Sequence, residues 1–151
     1  MLQPNYGGFW RRLLAMMIDG AILAIIMTTL FIAGIIVFGI SVTFPVFGGF
    51  EEWPGPFMRF LLLFWTTRAV IKMFYFVYFI GATGQTPGKM ALGLRVVCQD
   101  GEPVTFGIAF LRWVGYIVST LCLYLGFLWI AFDRRKQGWH DKIAGTVVIR
   151  A

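Results

Sequence analysis

The chain has 151 residues, of which 59% are hydrophobic and 13% are charged, and its formal net charge is +6. The charged share is about half that of an ordinary soluble domain, so the chain has too little polar surface to cover a soluble globule. Its mean hydropathy of +0.79 predicts an integral membrane protein, and its length suits a single membrane domain over residues 1–151.

The first predicted membrane span follows two basic residues, Arg11 and Arg12. The apolar run begins at Leu13 and is interrupted only by Asp19, and residues 21–40 contain no charge. These twenty residues would rise about 30 Å as a helix, which is the hydrocarbon thickness of a bilayer. The run is far longer than the apolar region of a secretory signal and has no small-residue cleavage site, so we predict a retained transmembrane helix.

The second predicted span follows a loop. Residues 41–56 are rich in Pro and Gly, which break helices, and their only charges are Glu51 and Glu52. From about Phe57 to Gly81 the chain is again apolar and very aromatic. We therefore predict a second transmembrane helix, although this segment also contains the basic residues Arg59, Arg68 and Lys72.

A small sheet is predicted beyond the second span. Residues 94–105 resemble a β-hairpin, since Asp100-Gly101 is a strong signal for a two-residue turn between antiparallel strands. Residues 146–150 are rich in β-branched side chains and are also strand-like. Two alternatives stay open for this C-terminal segment, because it either pairs with the hairpin as a surface sheet or forms a frayed tail.

The third apolar stretch, residues 106–132, has an intermediate length. Its 27 residues would rise about 40 Å, too far for one upright span, yet two spans need about 40 residues. A single tilted helix would export the basic C-terminal segment, against the positive-inside rule. We therefore favour a hairpin of two shorter helices, roughly 106–119 and 122–133, over one tilted helix.

These elements predict an all-α membrane protein with two full transmembrane helices, a shorter hairpin of third and fourth helices, and a small cytoplasmic β-hairpin. The distribution of basic residues predicts a multi-pass protein of the bacterial inner membrane with both termini in the cytoplasm. We expect the basic run Arg134, Arg135 and Lys136 to contact anionic lipid headgroups, at about 1 kcal/mol per charge. The net charge needs no nucleic-acid partner to account for it.

Charged residues inside the predicted spans are the candidate functional site. Asp19, Lys72 and Arg112 lie about 10–13 Å from the same membrane face, and Arg12 precedes Asp19 by two helical turns. Such charges cost several kcal/mol unless they are paired, so each is a functional candidate. We predict an intramembrane charge cluster of Arg12, Asp19, Lys72 and Arg112, which either specifies helix packing or serves transport or ligand binding.

No catalytic or cofactor site is expected from the sequence. The one histidine, His140, has only Asp141 nearby at ligand spacing, and no nucleophile or metal-ligand set accompanies it. The two cysteines, Cys98 and Cys122, form no disulfide framework. We therefore expect neither an enzyme nor a bound metal or cofactor.

Several motifs, taken in order, resemble the RDD family of small membrane proteins, named for one arginine and two aspartates. The matching segments are Gly8-Phe-Trp-Arg-Arg-Leu-Leu-Ala-Met-Met-Ile-Asp19, Gly84-Gln-Thr-Pro-Gly-Lys89, Gly93-Leu-Arg-Val-Val97, Asp100-Gly101, Phe110-Leu-Arg112 and Gly138-Trp-His-Asp-Lys-Ile-Ala-Gly-Thr-Val-Val148. The resemblance implies that Arg12 and Asp19 are the family's arginine and first aspartate. It implies Asp141 as the second aspartate, with Asp133 as the alternative.

The resemblance implies little about activity, because the family is generally regarded as one of unknown function, with transport suggested for some members. Two functional hypotheses follow. The first is an accessory or interaction subunit of a larger membrane complex, with other membrane proteins or further copies of this chain as partners. The second is a transporter, or part of one, that moves cations, protons or another ligand and works as an oligomer, since so few helices can hardly line a pathway alone.

Overall fold

The computed structural model describes residues 5–43 and 55–150, and within these ranges the protein is mostly helical. In chain order the elements are α1 (Phe9–Thr43), α2 (Gly55–Thr83), α3 (Pro87–Ala91), β1 (Leu94–Cys98), α4 (Phe106–Leu121), α5 (Leu125–Phe132), α6 (Trp139–Ile143) and β2 (Thr146–Arg150). The predicted loop charges Glu51 and Glu52 lie outside the described residues.

Helices α1 and α2 are each long and apolar enough to cross a membrane. Their candidate spans are Phe9–Gly39, of 31 residues, and Phe57–Thr83, of 27 residues. These lengths correspond to about 46 and 40 Å of helix, more than the hydrocarbon thickness of about 30 Å. Hardly any residue in the most apolar part of either span is buried within the chain. These lengths and the lack of burial agree with the prediction of two full transmembrane helices.

The third apolar stretch is broken, so the single tilted helix considered for residues 106–132 is wrong. Helices α4 and α5 meet at an angle of 101°. Leu123 and Tyr124 both have positive φ angles, of 52° and 62°, which ends the right-handed helix at this point. The break falls between the two predicted helices, whose observed ends are Leu121 and Leu125. The bend is closer to a right angle than to an antiparallel hairpin.

The small sheet pairs β1 with β2 in antiparallel register, from Leu94 opposite Arg150 to Cys98 opposite Thr146. Of the two alternatives for the C-terminal segment, the structure shows pairing in a sheet and not a frayed tail, whereas the predicted hairpin over 94–105 is wrong in its second strand. The Asp100-Gly101 turn does form, yet it returns only to an isolated bridge between Val97 and Pro103. Val97 is paired with Val147 as well as with Pro103, so β2 and the bridge lie on opposite edges of β1. Proline has no N–H to donate, which is unfavourable for extending the bridge into a second ladder.

Contacts divide the chain into two units, which are described separately. The sheet unit comprises residues 1–20 and 73–151, and the helical unit comprises residues 21–72. The sheet unit has an apolar core formed by residues of α1, α2, β1, α4 and β2, together with Val104 of the segment between β1 and α4. Its buried members are Ala15, Ile80, Leu94, Val96, Cys98, Val104, Ala109 and Val148.

The helical unit contains the membrane-length parts of α1 and α2 that lie between these segments. Aromatic rings of the two helices pack on one another: Phe31 lies 4.9 Å from Phe64 and Phe38 lies 5.7 Å from Phe60, measured between ring centroids. Gly34 admits the ring of Phe60, because a Cβ at that position would come within 2.7 Å of it. Aromatic packing, with no ion pair among the described residues of this unit, joins its two helices.

Candidate functional site

The carboxylate of Asp141 lies between two buried arginines. Arg12 Nη1 is 2.6 Å from Asp141 Oδ2, and Arg112 Nη1 is 2.6 Å from Oδ1. All three side chains are at most 5% exposed. We call Arg12, Arg112 and Asp141 the arginine–aspartate triad. It joins the start of α1, the middle of α4 and the short helix α6.

Each arginine of the triad is also bonded elsewhere in the sheet unit. Arg12 donates to the backbone carbonyl of Gly7, at 2.9 Å from Nε, and to that of Val148. Arg112 donates to the hydroxyl of Thr146 and lies in hydrogen-bonding contact with the Tyr116 hydroxyl. Since Val148 and Thr146 both belong to β2, the triad also joins the sheet to the helices.

Helix α6 is placed by close backbone contacts that only glycine allows. A Cβ on Gly115 of α4 would come within 2.6 Å of the His140 Cα, and one on Gly126 of α5 would come within 3.1 Å of the Trp139 Cβ. At the N-terminus of α6, the Gly138 N–H donates to Asp141 Oδ2 at 2.9 Å. The Asp141 carboxylate therefore both caps its own helix and receives the arginines.

The protonation states of His140 and Asp141 in α6 follow from their burial and from the neighbouring cations. Burial lowers the pKa of His140 to about 3, and the Arg112 and Arg12 cations add to this against the opposing Asp141 carboxylate. Burial alone would raise the pKa of Asp141, but Arg112 and Arg12 outweigh it and hold that pKa well below its usual range. At neutral pH, His140 is therefore a neutral ring packed on Tyr116 and Phe127, and Asp141 is ionised.

Asp19 occupies a different place from the triad and has its own set of donors. Tyr75 and the Gly88 N–H donate to Oδ1 at 2.9 and 2.7 Å, and the Thr86 hydroxyl donates to Oδ2 at 2.5 Å. The side chain is fully buried. We call Asp19 with Tyr75, Thr86 and Gly88 the aspartate clamp. It ties α1 to the end of α2 and to the first turn of α3.

The clamp depends on the local sequence Thr86-Pro87-Gly88. Thr86 is the N-cap of α3, where its hydroxyl accepts from the Lys89 N–H, and Pro87 occupies the first helical turn. Gly88 allows α3 to touch α1, because a Cβ there would come within 2.2 Å of the Ala15 carbonyl oxygen. The Gly88 N–H, which has no partner within the helix, therefore points at the Asp19 carboxylate.

The other predicted candidates are placed as follows. Asp133, the alternative second aspartate, is partly exposed and pairs with Lys142 at 2.7 Å. In the basic run, Arg134 and Arg135 are exposed, whereas Lys136 donates to the Ala131 carbonyl at the end of α5. The structure contains no lipid, so headgroup contact by this run stays a prediction.

The predicted charge cluster is divided. Arg12 and Arg112 meet on Asp141, Asp19 forms the separate clamp, and Lys72 is an exposed residue of α2 that forms no ion pair with any residue of the described ranges. One helical turn earlier, Arg68 is also exposed and lies 4.9 Å from the ring of Trp65. We call Arg68 and Lys72 the α2 basic pair.

Several participants were not assigned a role from the sequence. They are Tyr75, Thr86, Gly88, Lys89, Tyr116 and Thr146. The Thr-Pro-Gly sequence carries the ordinary signal of a helix start, but it does not indicate which carboxylate the helix start faces. Lys89 is 5% exposed, and the charge of this buried lysine acts on the Tyr116 hydroxyl and on His140.

The chemistry available here is that of a tightly bonded polar interior. Each buried aspartate already faces donors or cations, and residues 5–43 and 55–150 contain no group of three or more His, Cys, Asp or Glu side chains that could hold a metal ion. Within those ranges four buried side-chain atoms have no hydrogen-bond partner, namely Arg112 Nε, Ser119 Oγ, His140 Nδ1 and Asp141 Oδ1, of which the last still lies 2.6 Å from Arg112 Nη1 as an ion pair.

Comparison with known proteins identifies relatives, two of which are of similar length. The uncharacterized protein YxaI of Bacillus subtilis (strain 168) is 34% identical over 94% of this chain and 95% of its own length. The uncharacterized membrane protein YteJ of the same strain is 26% identical over 99% of this chain and 84% of its own. The proline-rich antigen of Mycobacterium leprae (strain TN) is 29% identical over 56% of this chain, which is 34% of the antigen. No solved structure matches the chain significantly.

The family comparison agrees with the motifs that the triad and the clamp contain. The RDD family model matches residues 6–145, a range that includes Arg12, Asp19, Arg112 and Asp141. The protein therefore belongs to the RDD family, and it is a membrane protein of that family.

Proposed function

We propose that the protein is an interaction subunit of a larger membrane assembly, which it joins through the side of α2 that presents the basic pair. The observation that carries this proposal is the exposure of Arg68 and Lys72 in the middle of a helix that is long and apolar enough to span a bilayer. A cation at that depth is costly in lipid unless another protein or water receives it.

The triad and the clamp support this role, because they hold the elements of the sheet unit in one arrangement. The triad joins α1, α4 and α6 and its arginines bond to β2, whereas the clamp joins α1 to α2 and α3. Buried ion pairs are weak evidence for net stability but serve well to specify one arrangement of helices. An interaction subunit needs such a fixed arrangement in order to present the same surface to its partner.

Transport receives less support from the site. A carrier of protons or cations needs a carboxylate that releases and rebinds its ligand, whereas Asp19 accepts three hydrogen bonds from its own chain. Catalysis is also not proposed, since Asp141 faces two arginines and His140 is buried among aromatic rings. We also propose that the protein lies in the bacterial inner membrane with both termini in the cytoplasm.

Extraction of the native protein in a mild detergent tests the role. We expect the chain to migrate on a native gel at the mass of a larger assembly, and the double variant Arg68→Leu/Lys72→Leu to migrate alone. The matched control is Arg59→Leu, which removes an exposed charge only two residues inside the span. A wild-type chain that migrates alone would contradict the proposal, and cation-dependent flux through proteoliposomes of the pure protein would support the transporter instead.

A further inference from the structure

The α2 basic pair lies at the centre of its span. The span Phe57–Thr83 has its midpoint at residue 70, so Arg68 and Lys72 lie two residues to either side, each about 3 Å along the axis. Half of a hydrocarbon core is about 15 Å. Because both side chains are shorter than that distance, neither reaches the headgroup region of an undistorted bilayer from this position.

No acidic residue in the described part of the helical unit compensates the two charges. Residues 21–43 and 55–72 contain no Asp or Glu. Arg68 lies over the ring of Trp65, which offers a cation–π contact but no negative charge. Lys72 and Arg68 are separated by one helical turn, so they lie on the same side of α2 and add to the same local field. The described segments of this unit therefore supply no negative charge to this side of α2.

A second copy of the chain is poorly suited to supply that charge. In a two-fold contact through this side, the basic pair of one copy would face the basic pair of the other. Asp19 is the only acid in α1, and it is fully buried with three donors of its own. Asp133 and Asp141 are likewise paired with cations within the chain. The remaining acids lie outside both candidate spans in the sequence, and they are Glu51, Glu52, Asp100 and Glu102.

We infer that the partner is a different membrane protein whose transmembrane helix places a carboxylate near the bilayer centre against Arg68 and Lys72. This inference rests on the proposed interaction role and names the chemistry of the partner. A carboxylate in this position would form an ion pair with the cations of the basic pair. In a medium of low dielectric constant such pairs are strong and specific. Like the basic pair, the partner's carboxylate would be energetically costly in lipid until the two helices come into contact.

Designed transmembrane helices test the chemistry directly. The full-length protein and a polyleucine helix with one central Asp are reconstituted together in phosphatidylcholine vesicles, and their association is followed by energy transfer between fluorophores. We expect the Asp helix to associate about tenfold more tightly than helices with Leu at that position. The preference should disappear in Arg68→Leu/Lys72→Leu and persist in Arg59→Leu. Equal association of the Asp and Leu helices, or a preference that survives the double variant, would overturn the inference.

A second experiment separates failure of the inference from failure of the proposed role. A photo-crosslinking amino acid replaces Thr67, which is exposed beside the pair, and is activated in native membranes. Crosslinks to a membrane protein with an Asp or Glu in the middle of a span support the inference. Crosslinks to a second copy, or to a protein without such an acid, leave the interaction role intact but overturn the inference. Crosslinks to lipid alone contradict both.

Discussion

Arg12 and Asp141 form a buried ion pair of 2.6 Å although they are 129 residues apart in the sequence. The pair joins the first turns of the chain's first helix to its last helix, and Arg112 completes it from α4. Three of the RDD motifs therefore meet in space at Asp141. The motif residue Asp19 lies apart from them and accepts hydrogen bonds at the start of α3. This division leads to distinct predictions for the two aspartates.

Replacing Asp141 by Asn should destabilise the protein by about 3–5 kcal/mol, because two buried guanidinium groups lose their counterion. The measurement is the free energy of unfolding in mixed detergent–SDS micelles, followed by tryptophan fluorescence. Asp133→Asn is the matched control. Its carboxylate is partly exposed and its partner Lys142 is 45% exposed, so the loss there should be roughly 1 kcal/mol or less. Equal losses in the two variants would contradict a special role for the triad.

Thr86→Val should weaken the aspartate clamp while preserving the shape of the side chain. The variant loses a hydrogen bond to a buried carboxylate and an N-cap, at a combined cost of roughly 3 kcal/mol. Thr86→Ser retains the hydroxyl and should cost about 1 kcal/mol. A local measurement is trypsin cleavage after Lys89, which is 5% exposed in the folded protein. Cleavage should accelerate in the Val variant only, and unchanged cleavage there would argue against the clamp.

Gly88→Ala should separate α3 from α1. The added Cβ would lie 2.2 Å from the Ala15 carbonyl oxygen and 2.9 Å from the Asp19 carboxylate, and such overpacking costs about 1–3 kcal/mol. Gly107→Ala is the control, since the nearest atom to its Cβ is 3.9 Å away. There the substitution should be neutral or stabilise α4 by up to about 1 kcal/mol. The prediction fails if Gly88→Ala unfolds no earlier than the control.

Acidification should destabilise the protein through His140. The folded pKa of about 3 lies below the unfolded value of about 6.5, so the unfolded state binds more protons between these limits. The free energy of unfolding therefore falls as pH decreases below 6.5, by up to about 1.4 kcal/mol per pH unit. His140→Gln should flatten the curve between pH 7 and 5, since the chain has no other histidine. An equally steep curve in that variant would refute the assignment.

Asp141 should add a second acid-sensitive step at lower pH. Its folded pKa is held below its usual range, so its contribution is complete above the unfolded value of about 3.9 and is lost on further acidification. Unfolding curves of the wild type and Asp141→Asn should therefore converge as the pH falls below 4. Curves that stay parallel down to pH 2.5 would show that the carboxylate is not the group responsible.

The orientation in the membrane can be measured with cysteine variants. In a background with Cys98→Ala and Cys122→Ala, a membrane-impermeant maleimide should label Glu52→Cys in intact cells. It should label Ala151→Cys only after permeabilisation, because the positive-inside rule places the basic C-terminal segment in the cytoplasm. Labelling of Ala151→Cys in intact cells would reverse the predicted location of the C-terminus.

Local patterns in the sequence were sufficient for the long helices and for much of the sheet. An uncharged run of membrane length predicts α1 and a long, aromatic apolar run predicts α2, because the hydrocarbon thickness imposes the length of a span whatever the helix packs against. The short helices α3 and α6 were not predicted. The β-branched segment 146–150 predicts a strand. The pairing of β1 was less predictable. The Asp100-Gly101 turn favours a hairpin locally, but the returning chain forms a single bridge at Pro103, whereas β2 forms a full ladder on the other edge of β1.

The sequence by itself determined that this is a membrane protein of the RDD family, with charges placed within apolar helices. Only the tertiary structure decided which charges meet, because pairing depends on contacts between residues far apart in the sequence, such as Arg12 and Asp141 at 129 positions. The predicted cluster of Arg12, Asp19, Lys72 and Arg112 is thus divided among the triad, the clamp and the basic pair. Depth along a helix follows from a rise of 1.5 Å per residue, whereas the direction in which a side chain finds its partner follows from packing.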